Sequence, residues 1–351
     1  MKVISSYLGG LYAKGQKTGL CVLCKVGRVE AIGEQVVENT NGPDQRLNLR
    51  IQIFLEDWIG TDEQSATIRW CQCSSCGFAY YLPRPTPEMV SRKYQRLSSS
   101  PLKQPPFPGR IKYSSEPWHK LKHYDVYTER AKELFQLLSP WVSTRTRIMD
   151  FGGAQGAILE YFVRAGFDCH VVDYGCRKPL PGIYYRGPDL QGVAEEYDLA
   201  ICNHVLEHVA DPIGELLSVR KALSENGIIF VEVPLELWNK QHPRPPEPVT
   251  HINWFSVPSL RYCLKAAGFD VLDVHYSSFR TYSAKRGLAV RAIARKSKAP
   301  GRNEADLSPD ISELLLLKEI QRGKVGALME NFVSLPPDWA TRAQSGEKGD
   351  E

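Results

Sequence analysis

The sequence predicts an α/β fold built around a nucleotide pocket, with a small metal-stapled module in front of it. Three observations carry that prediction. Residues 147–173 read as a buried strand, a glycine turn, an amphipathic helix and a second strand ending on an acid. Further apolar strands and helix starts follow as far as Lys296. Two C-x-x-C pairs stand near the N-terminus, separated from the rest by a stretch rich in serine and proline. At 351 residues and 42% hydrophobic composition, the chain can bury a full core and still carry a second module.

Residues 1–92 form the expected module. The opening M-K-V-I-S-S-Y-L-G-G-L-Y has one lysine, a short apolar patch and no cleavage site, so no signal peptide is expected. No stretch approaches the roughly 20 apolar residues that span a membrane, and a soluble, cytoplasmic protein without membrane insertion is expected. Nine cysteines, an odd number without a secretory signal, argue against a disulfide framework. Five of them fall in the first 76 residues, where Cys21-Val-Leu-Cys24 and Cys73-Ser-Ser-Cys76 offer four thiolates, the set that closes a structural Zn2+ site of the zinc-ribbon kind. Gly27 and Gly77 suit turns whose N–H groups point back at sulfur, and Cys71 is a spectator on the preceding strand. Strands are predicted at Leu47–Leu55 and Ala66–Cys71.

Residues 93–117 read as a Ser/Pro-rich linker containing S-S-S-P-L-K-Q-P-P-F-P-G. An amphipathic helix follows over Pro117–Leu138, with Leu121, Tyr124, Tyr127, Leu134 and Leu138 near helical spacing. The strand Arg147–Phe151 then runs into Gly152, Gly153 and Gly156. Glycines there let backbone approach a ligand and let the helix start tight against the sheet. The second strand, Asp168–Val172, delivers Asp173 where a carboxylate can accept from two ribose hydroxyls. A dinucleotide would need G-x-G-x-x-G to hold its pyrophosphate, and Ala154 and Ala157 occupy the later glycine positions. Asp150, expected at the mouth of the turn, repels phosphate and suits an ammonium and a sulfonium. The charge pattern therefore favours S-adenosylmethionine over an NAD-type ligand.

Downstream, Leu199–Cys202 is a buried strand, Asp211 caps a helix with Pro212 at its first position, and I-I-F-V-E-V-P is a β-branched strand stopped by proline. With Asp150 and Asp173, the run N-H-V-L-E-H-V-A-D-P resembles the class I S-adenosylmethionine-dependent methyltransferases, in particular the bacterial group carrying V-L-E-H-V-x-D-P. The resemblance covers about Trp118–Lys296 and implies a Rossmann-like domain over 118–297. It implies a seven-stranded, mostly parallel sheet whose last strands are Phe269–Tyr276 and Leu288–Ala294. It assigns Asp150, Gly152, Gly153 and Gly156 to the methionine end of the cofactor and Asp173 with Tyr174 to the ribose and adenine. Asp189 and Leu190 meet the adenine edge, and Asn203 and His204 border the transferred methyl. Glu207 and His208 offer an acid/base pair, but their recurrence across group members with different substrates favours a structural role. Ala154 stands where the family usually has glycine.

Methyl transfer from a sulfonium needs an aligned nucleophile and, where the nucleophile is protonated, a base. The long proline-rich loop after the I-I-F-V-E-V-P strand carries His242, Arg244, Glu247, His251 and Trp254. His251 is the expected base, since histidine titrates near neutrality, with Glu247 as a second catalytic candidate. His251-Ile-Asn-Trp254-Phe255-Ser256 resembles the H-x-x-Y-F-S segment of bacterial sugar C-methyltransferases, which also carry a four-cysteine zinc module; the tyrosine and glutamate that precede their histidine are here Pro248 and Thr250. A small polar acceptor, a saccharide or nucleotide-sugar methylated on O or C, is the partner this implies. An RNA methyltransferase using the ribbon as a grip is the alternative, and a non-catalytic S-adenosylmethionine-binding module a third. A net charge of +4 does not argue for nucleic acid, and the basic run Lys285, Arg286, Arg291, Arg295, Lys296, Lys298 and Arg302 reads as a solvated face. The tail, 298–351, is polar apart from a helix predicted over 311–332, which would pack on the core or on a second copy in a homodimer.

Overall fold

The computed structural model describes residues 19–39, 45–60, 63–99, 125–143, 145–175, 178–194, 197–236, 249–280 and 286–298. The predicted tail helix, the start of the 117–138 helix and Glu247 lie outside them. No helix among the described residues is long and apolar enough to cross a membrane.

The α/β domain begins with α3 (Asp125–Leu138) and continues through β4 (Arg147–Phe151), α4 (Glu160–Arg164), β5 (Asp168–Val172), β6 (Ile183–Gly187), β7 (Tyr197–Asn203), α5 (Pro212–Ala222) and β8 (Leu223–Pro234). It closes with α6 (Val257–Ala266), β10 (Phe269–Arg280) and β11 (Arg286–Lys296). The strands make one seven-stranded sheet in the order β10-β11-β8-β7-β4-β5-β6. β8, β7, β4, β5 and β6 are parallel, while β11 pairs antiparallel with both β8 and β10. The chain steps outward from β4 to β6 and then returns to β7 on the other side of β4. The carboxyl ends of β4 and β7 thus flank a topological switch point, where such sheets bind ligands.

Alternation along each strand splits the core between the two faces of the sheet. Leu199 and Ile201 of β7 join Ile148, Phe230 and the helical residues Leu134, Leu138 and Phe162 on one face. Ala200 and Cys202 join Met149, Val231, Leu216 and Leu260 on the other. α5 starts where its signals place it: Asp211 Oδ1 accepts from the Gly214 N–H at 3.0 Å, and Pro212 follows. α6 opens with a capping box between Ser256 and Ser259.

Ahead of this domain stand β1 (Val29–Glu38), α1 (Gln45–Ile53), β2 (Ser65–Cys73), β3 (Ala79–Leu82) and α2 (Pro87–Ser99). Two expectations are corrected here. Leu47–Leu55 is helix, not strand: α1 runs into a π-helical turn over Phe54–Ile59. Leu47, Ile51, Phe54, Leu55 and Trp58 share a face at helical spacing, and the short alternation N-L-R-I-Q-I mimics a strand only locally. The linker also starts later than residue 93, because α2 extends to Ser99 and buries Lys93.

The module's sheet is completed by the larger domain. Its order is β1-β2-β3-β9, where β9 is Asn253–Trp254, from the loop after β8. Ala79 pairs with Trp254 and Tyr80 with Asn253. Trp254 packs edge-on against Trp70 with ring centroids 4.4 Å apart, and Phe255 lies 5.1 Å from Phe78. Arg84 donates to Asn253 Oδ1 at 2.7 Å and to the Ala210 carbonyl at 2.8 Å, and Ser256 Oγ donates to the Cys76 carbonyl at 2.9 Å. The module core and the α5/α6 side of the sheet form one continuous cluster.

Candidate active site and cysteine cluster

The turn after β4 is shaped by what it must clear. Gly152 has a φ of 74°, and a Cβ there would lie 2.6 Å from a methyl of Val205. A Cβ on Gly153 would fall inside the Asp150 carboxylate. Gly156, at φ 80°, ends the turn against Ile183. Ala154 adopts φ 52°, a left-handed conformation that L side chains rarely take, so the turn keeps a glycine-like path without the glycine.

Asp150 is not at the mouth of the turn as expected but beneath it, 1% exposed. Neither of its oxygens has a hydrogen-bond partner. Burial, and secondarily the charge of Asp173, pushes its carboxyl well above the usual range. An orphaned acid at this depth calls for a cationic or donor group from a ligand. Asp173, at the end of β5, accepts from the N–H of Ala154 at 2.9 Å and of Gly175 at 2.5 Å, which ties the two loops that would bracket a ribose. Tyr174 next to it is largely exposed. Asp189, after β6, accepts from the Gln191 N–H at 2.9 Å, and Leu190 turns into the core. An orphaned carboxylate at the methionine end and an acid at the ribose end fit S-adenosylmethionine.

At the end of β7 the polar groups are linked. Arg130 of α3 donates to Asn203 Oδ1 at 2.8 Å and to Glu232 of β8 through the same nitrogen. Arg291 Nε donates to the other oxygen of Glu232 at 2.5 Å, and its Nη2 donates to Glu133 at 2.7 Å. Burial opposes ionisation of Glu232, yet the two guanidiniums hold its carboxyl well below the usual range. Arg291 therefore does not belong to a solvated face, as its basic run suggested, because this strand is covered on both sides. His204, at φ 57°, puts Nε2 3.1 Å from Glu232 and Nδ1 3.3 Å from Glu207. Burial alone would lower its pKa, but the two carboxylates raise it to about 9. His204 is thus an imidazolium at neutral pH.

His251 emerges just before β9. Its Nδ1 donates to Glu236 Oε2 at 2.6 Å, and its ring meets that of His208 edge-on at 4.7 Å. His208 Nδ1 donates to the Thr250 carbonyl at 2.9 Å, and the Ile252 N–H donates to the Glu207 carbonyl at 2.8 Å. Burial pushes His208 down to about 4, so it is neutral. The structure joins His251 to Glu207 and His208, which the sequence treats separately. Sequence reasoning missed Glu236, whose only trace is an acid two residues past the end of β8. It also missed Tyr94 of α2, whose hydroxyl is raised by burial and by the charges of Glu207 and Asp173.

Cys21, Cys24, Cys73 and Cys76 converge, all buried, with their sulfurs within 4.8 Å of one another. Cys21 and Cys76 sulfurs are 3.9 Å apart and those of Cys24 and Cys73 3.7 Å. A tetrahedron with Zn–S bonds of about 2.3 Å has edges of about 3.8 Å. The N–H groups of Leu23, Gly27, Ser75 and Cys76 each point at a sulfur at 3.4 Å, the support thiolates need. Cys24 is held far below the usual thiol range, and Cys76 far above it, chiefly by Cys21 in each case. The donor set fits a closed structural zinc site.

Residues 118–274 match a family model described as a methyltransferase domain. No curated protein shows a significant match to the chain. Among solved structures, a SAM-dependent methyltransferase from Methanosarcina mazei is 15% identical with a TM-score of 0.38, covering 46% of this chain and 97% of its own. The 1,6-didemethyltoxoflavin-N1-methyltransferase of Burkholderia thailandensis, solved with S-adenosylhomocysteine, is 17% identical with a TM-score of 0.43, covering 64% and 98%. A possible histamine N-methyltransferase from Thermotoga maritima is 15% identical with a TM-score of 0.38, covering 50% and 92%.

Proposed function

We propose, from the premise that this chain is an S-adenosylmethionine-dependent methyltransferase with its methyltransferase domain at residues 118–274, that it methylates a small polar acceptor of the saccharide or nucleotide-sugar class. The cofactor, when bound, supplies an electrophilic methyl on a sulfonium. Asp150, Gly152, Gly153 and Gly156 hold its methionine end, Asp173, Tyr174, Asp189 and Leu190 its adenosine, and Asn203 and His204 the edge next to the acceptor.

The observation that carries the acceptor side is the Glu236–His251 pair. Glu236 engages Nδ1 at 2.6 Å, which fixes the ring and raises its basicity as a proton acceptor. A sugar hydroxyl, or a carbon next to a sugar carbonyl, needs such a base before it can attack a methyl. Glu247 belongs to the same loop and is retained as a second catalytic candidate. Cys21, Cys24, Cys73 and Cys76 hold a structural zinc, and the module they staple sets the position of the loop through β9.

The test is methyl-labelled S-adenosylmethionine with the purified full chain and a panel of nucleotide-sugars, monosaccharides and RNA. Transfer to a sugar that His251→Ala lowers by at least about 100-fold, with S-adenosylhomocysteine affinity unchanged, is the expected result. Label in RNA alone would replace the saccharide reading with a nucleic-acid one.

A further inference from the structure

Glu207, His208 and His251 each bring a ligand atom to within 4.8 Å of the other two. We propose that this trio is a divalent-cation site on the acceptor side of the cofactor pocket, taking a first-row transition ion. Two imidazoles and one carboxylate are the mixed hard and borderline donor set such ions prefer, and three protein ligands leave open positions for substrate.

Three features separate the trio from a merely packed polar cluster. Glu207 is only 1% exposed and neither carboxylate oxygen makes a hydrogen bond, Oε1 meeting the ring nitrogens of His204 at 3.3 Å and His208 at 3.6 Å as ion-pair neighbours. Buried acceptors left in that condition are rare and costly unless something absent from the protein serves them. His208 donates from Nδ1 to the Thr250 carbonyl, which leaves Nε2 as its ligand nitrogen, 3.6 Å from Glu207 Oε1. His251 donates from Nδ1 to Glu236, a carboxylate behind its ring. A carbonyl or carboxylate behind each imidazole is the outer shell that orients metal-binding histidines. Bonds of about 2.1 Å put ligand atoms ~3.0 to 3.4 Å apart, so a trio spread to 4.8 Å must close by roughly 1.4 to 1.8 Å at its widest. His204 is the competing partner, 3.3 Å from the same carboxylate oxygen.

The site deepens the methyl-transfer reading and rests on it for the acceptor class. With the ion in place, His251 is a ligand, and the open positions select acceptors with two neighbouring oxygens, as in a vicinal sugar diol. Such coordination also acidifies a hydroxyl, the task His251 performs when the ion is absent.

The experiment is a Mn2+ titration of the full chain followed by the loss of free-ion electron paramagnetic resonance, with S-adenosylhomocysteine affinity measured alongside by calorimetry. Mn2+ avoids the four-cysteine cluster, whose thiolates favour softer ions. One Mn2+ per chain is expected, weakened at least tenfold by His208→Ala and by the isosteric Glu207→Gln, with S-adenosylhomocysteine affinity held. Glu207→Gln keeps the volume, so the comparison survives if His208→Ala does not fold. No Mn2+ uptake at millimolar concentration, or equal uptake by Glu207→Gln, overturns the site. Loss of S-adenosylhomocysteine binding in the unmodified chain would overturn the methyltransferase reading instead, and the Mn2+ titration would still decide the cation site.

Discussion

At the scale of single residues, carboxylates organise the site. Asp173 makes two backbone hydrogen bonds that tie the glycine turn to the loop after β5. Asp173→Ala removes the proposed ribose acceptor and that tie, and hydrogen bonds to charged groups are worth about 1.5–3 kcal/mol. A loss of roughly 10- to 100-fold in S-adenosylhomocysteine affinity is expected by calorimetry, with an unchanged far-ultraviolet circular dichroism spectrum. His204 makes a pH prediction. Its pKa rises from the ordinary 6.5 to about 9 on folding. The folded state therefore binds its proton more tightly, and the stability it contributes is full below about pH 6.5 and lost as pH rises through about 9. Thermal melts from pH 6 to 10 should show a falling Tm that His204→Gln flattens. The groups facing His204 are Glu207, Glu232 and the Phe279 ring, with Arg130 and Arg291 behind Glu232.

At the scale of elements, β9 is only two residues long, yet it joins the module's sheet to the loop that carries His251. Trp254 is fully buried between the two, so Trp254→Ala should cost about 3–5 kcal/mol of unfolding free energy in denaturant titrations. The same variant should lose methyl transfer while keeping S-adenosylhomocysteine affinity, since the glycine turn and Asp173 lie on other elements. β4, β5, β7 and β8 were legible from sequence because their apolar residues are bounded by glycine, proline or an acid; β10 and β11 followed from the family resemblance, and β6, with three exposed residues, offers no such run. The cap of α5 was legible for the same reason, since its chemistry is local, whereas the Ser256–Ser259 box that opens α6 went unread. β9 was not, because two residues carry no period, and its partner lies far away in the chain. Leu47–Leu55 misled because a few alternating residues satisfy both periods, and only Phe54 and Trp58 beyond them break the tie. Arg291 misled because burial by a salt bridge to Glu133, on a helix far upstream, leaves no mark on the strand's own sequence.

At the scale of the whole molecule, the continuous core predicts shared melting. If the cysteine cluster holds zinc, a strong chelator should lower the Tm of the entire chain in one calorimetric transition; a separate low-temperature transition for the module would contradict the single core. The candidate site follows the same logic. Asp150, the glycine turn and Asp173 could be read from a short segment, whereas Glu236, Tyr94 and the meeting of His251 with Glu207 arise only when distant segments are brought together. The pairing of Ala79 with Trp254 has a further consequence for how the protein is made. All four cysteines and β1 to β3 leave the ribosome well before Trp254, so at typical synthesis rates of about 5–20 residues per second the outer edge of β3 waits on the order of 10–35 seconds for its partner. During that interval the nascent chain presents an open strand edge lined by Tyr80 and Tyr81, and translation speed across the intervening segment becomes a variable in the yield of native protein.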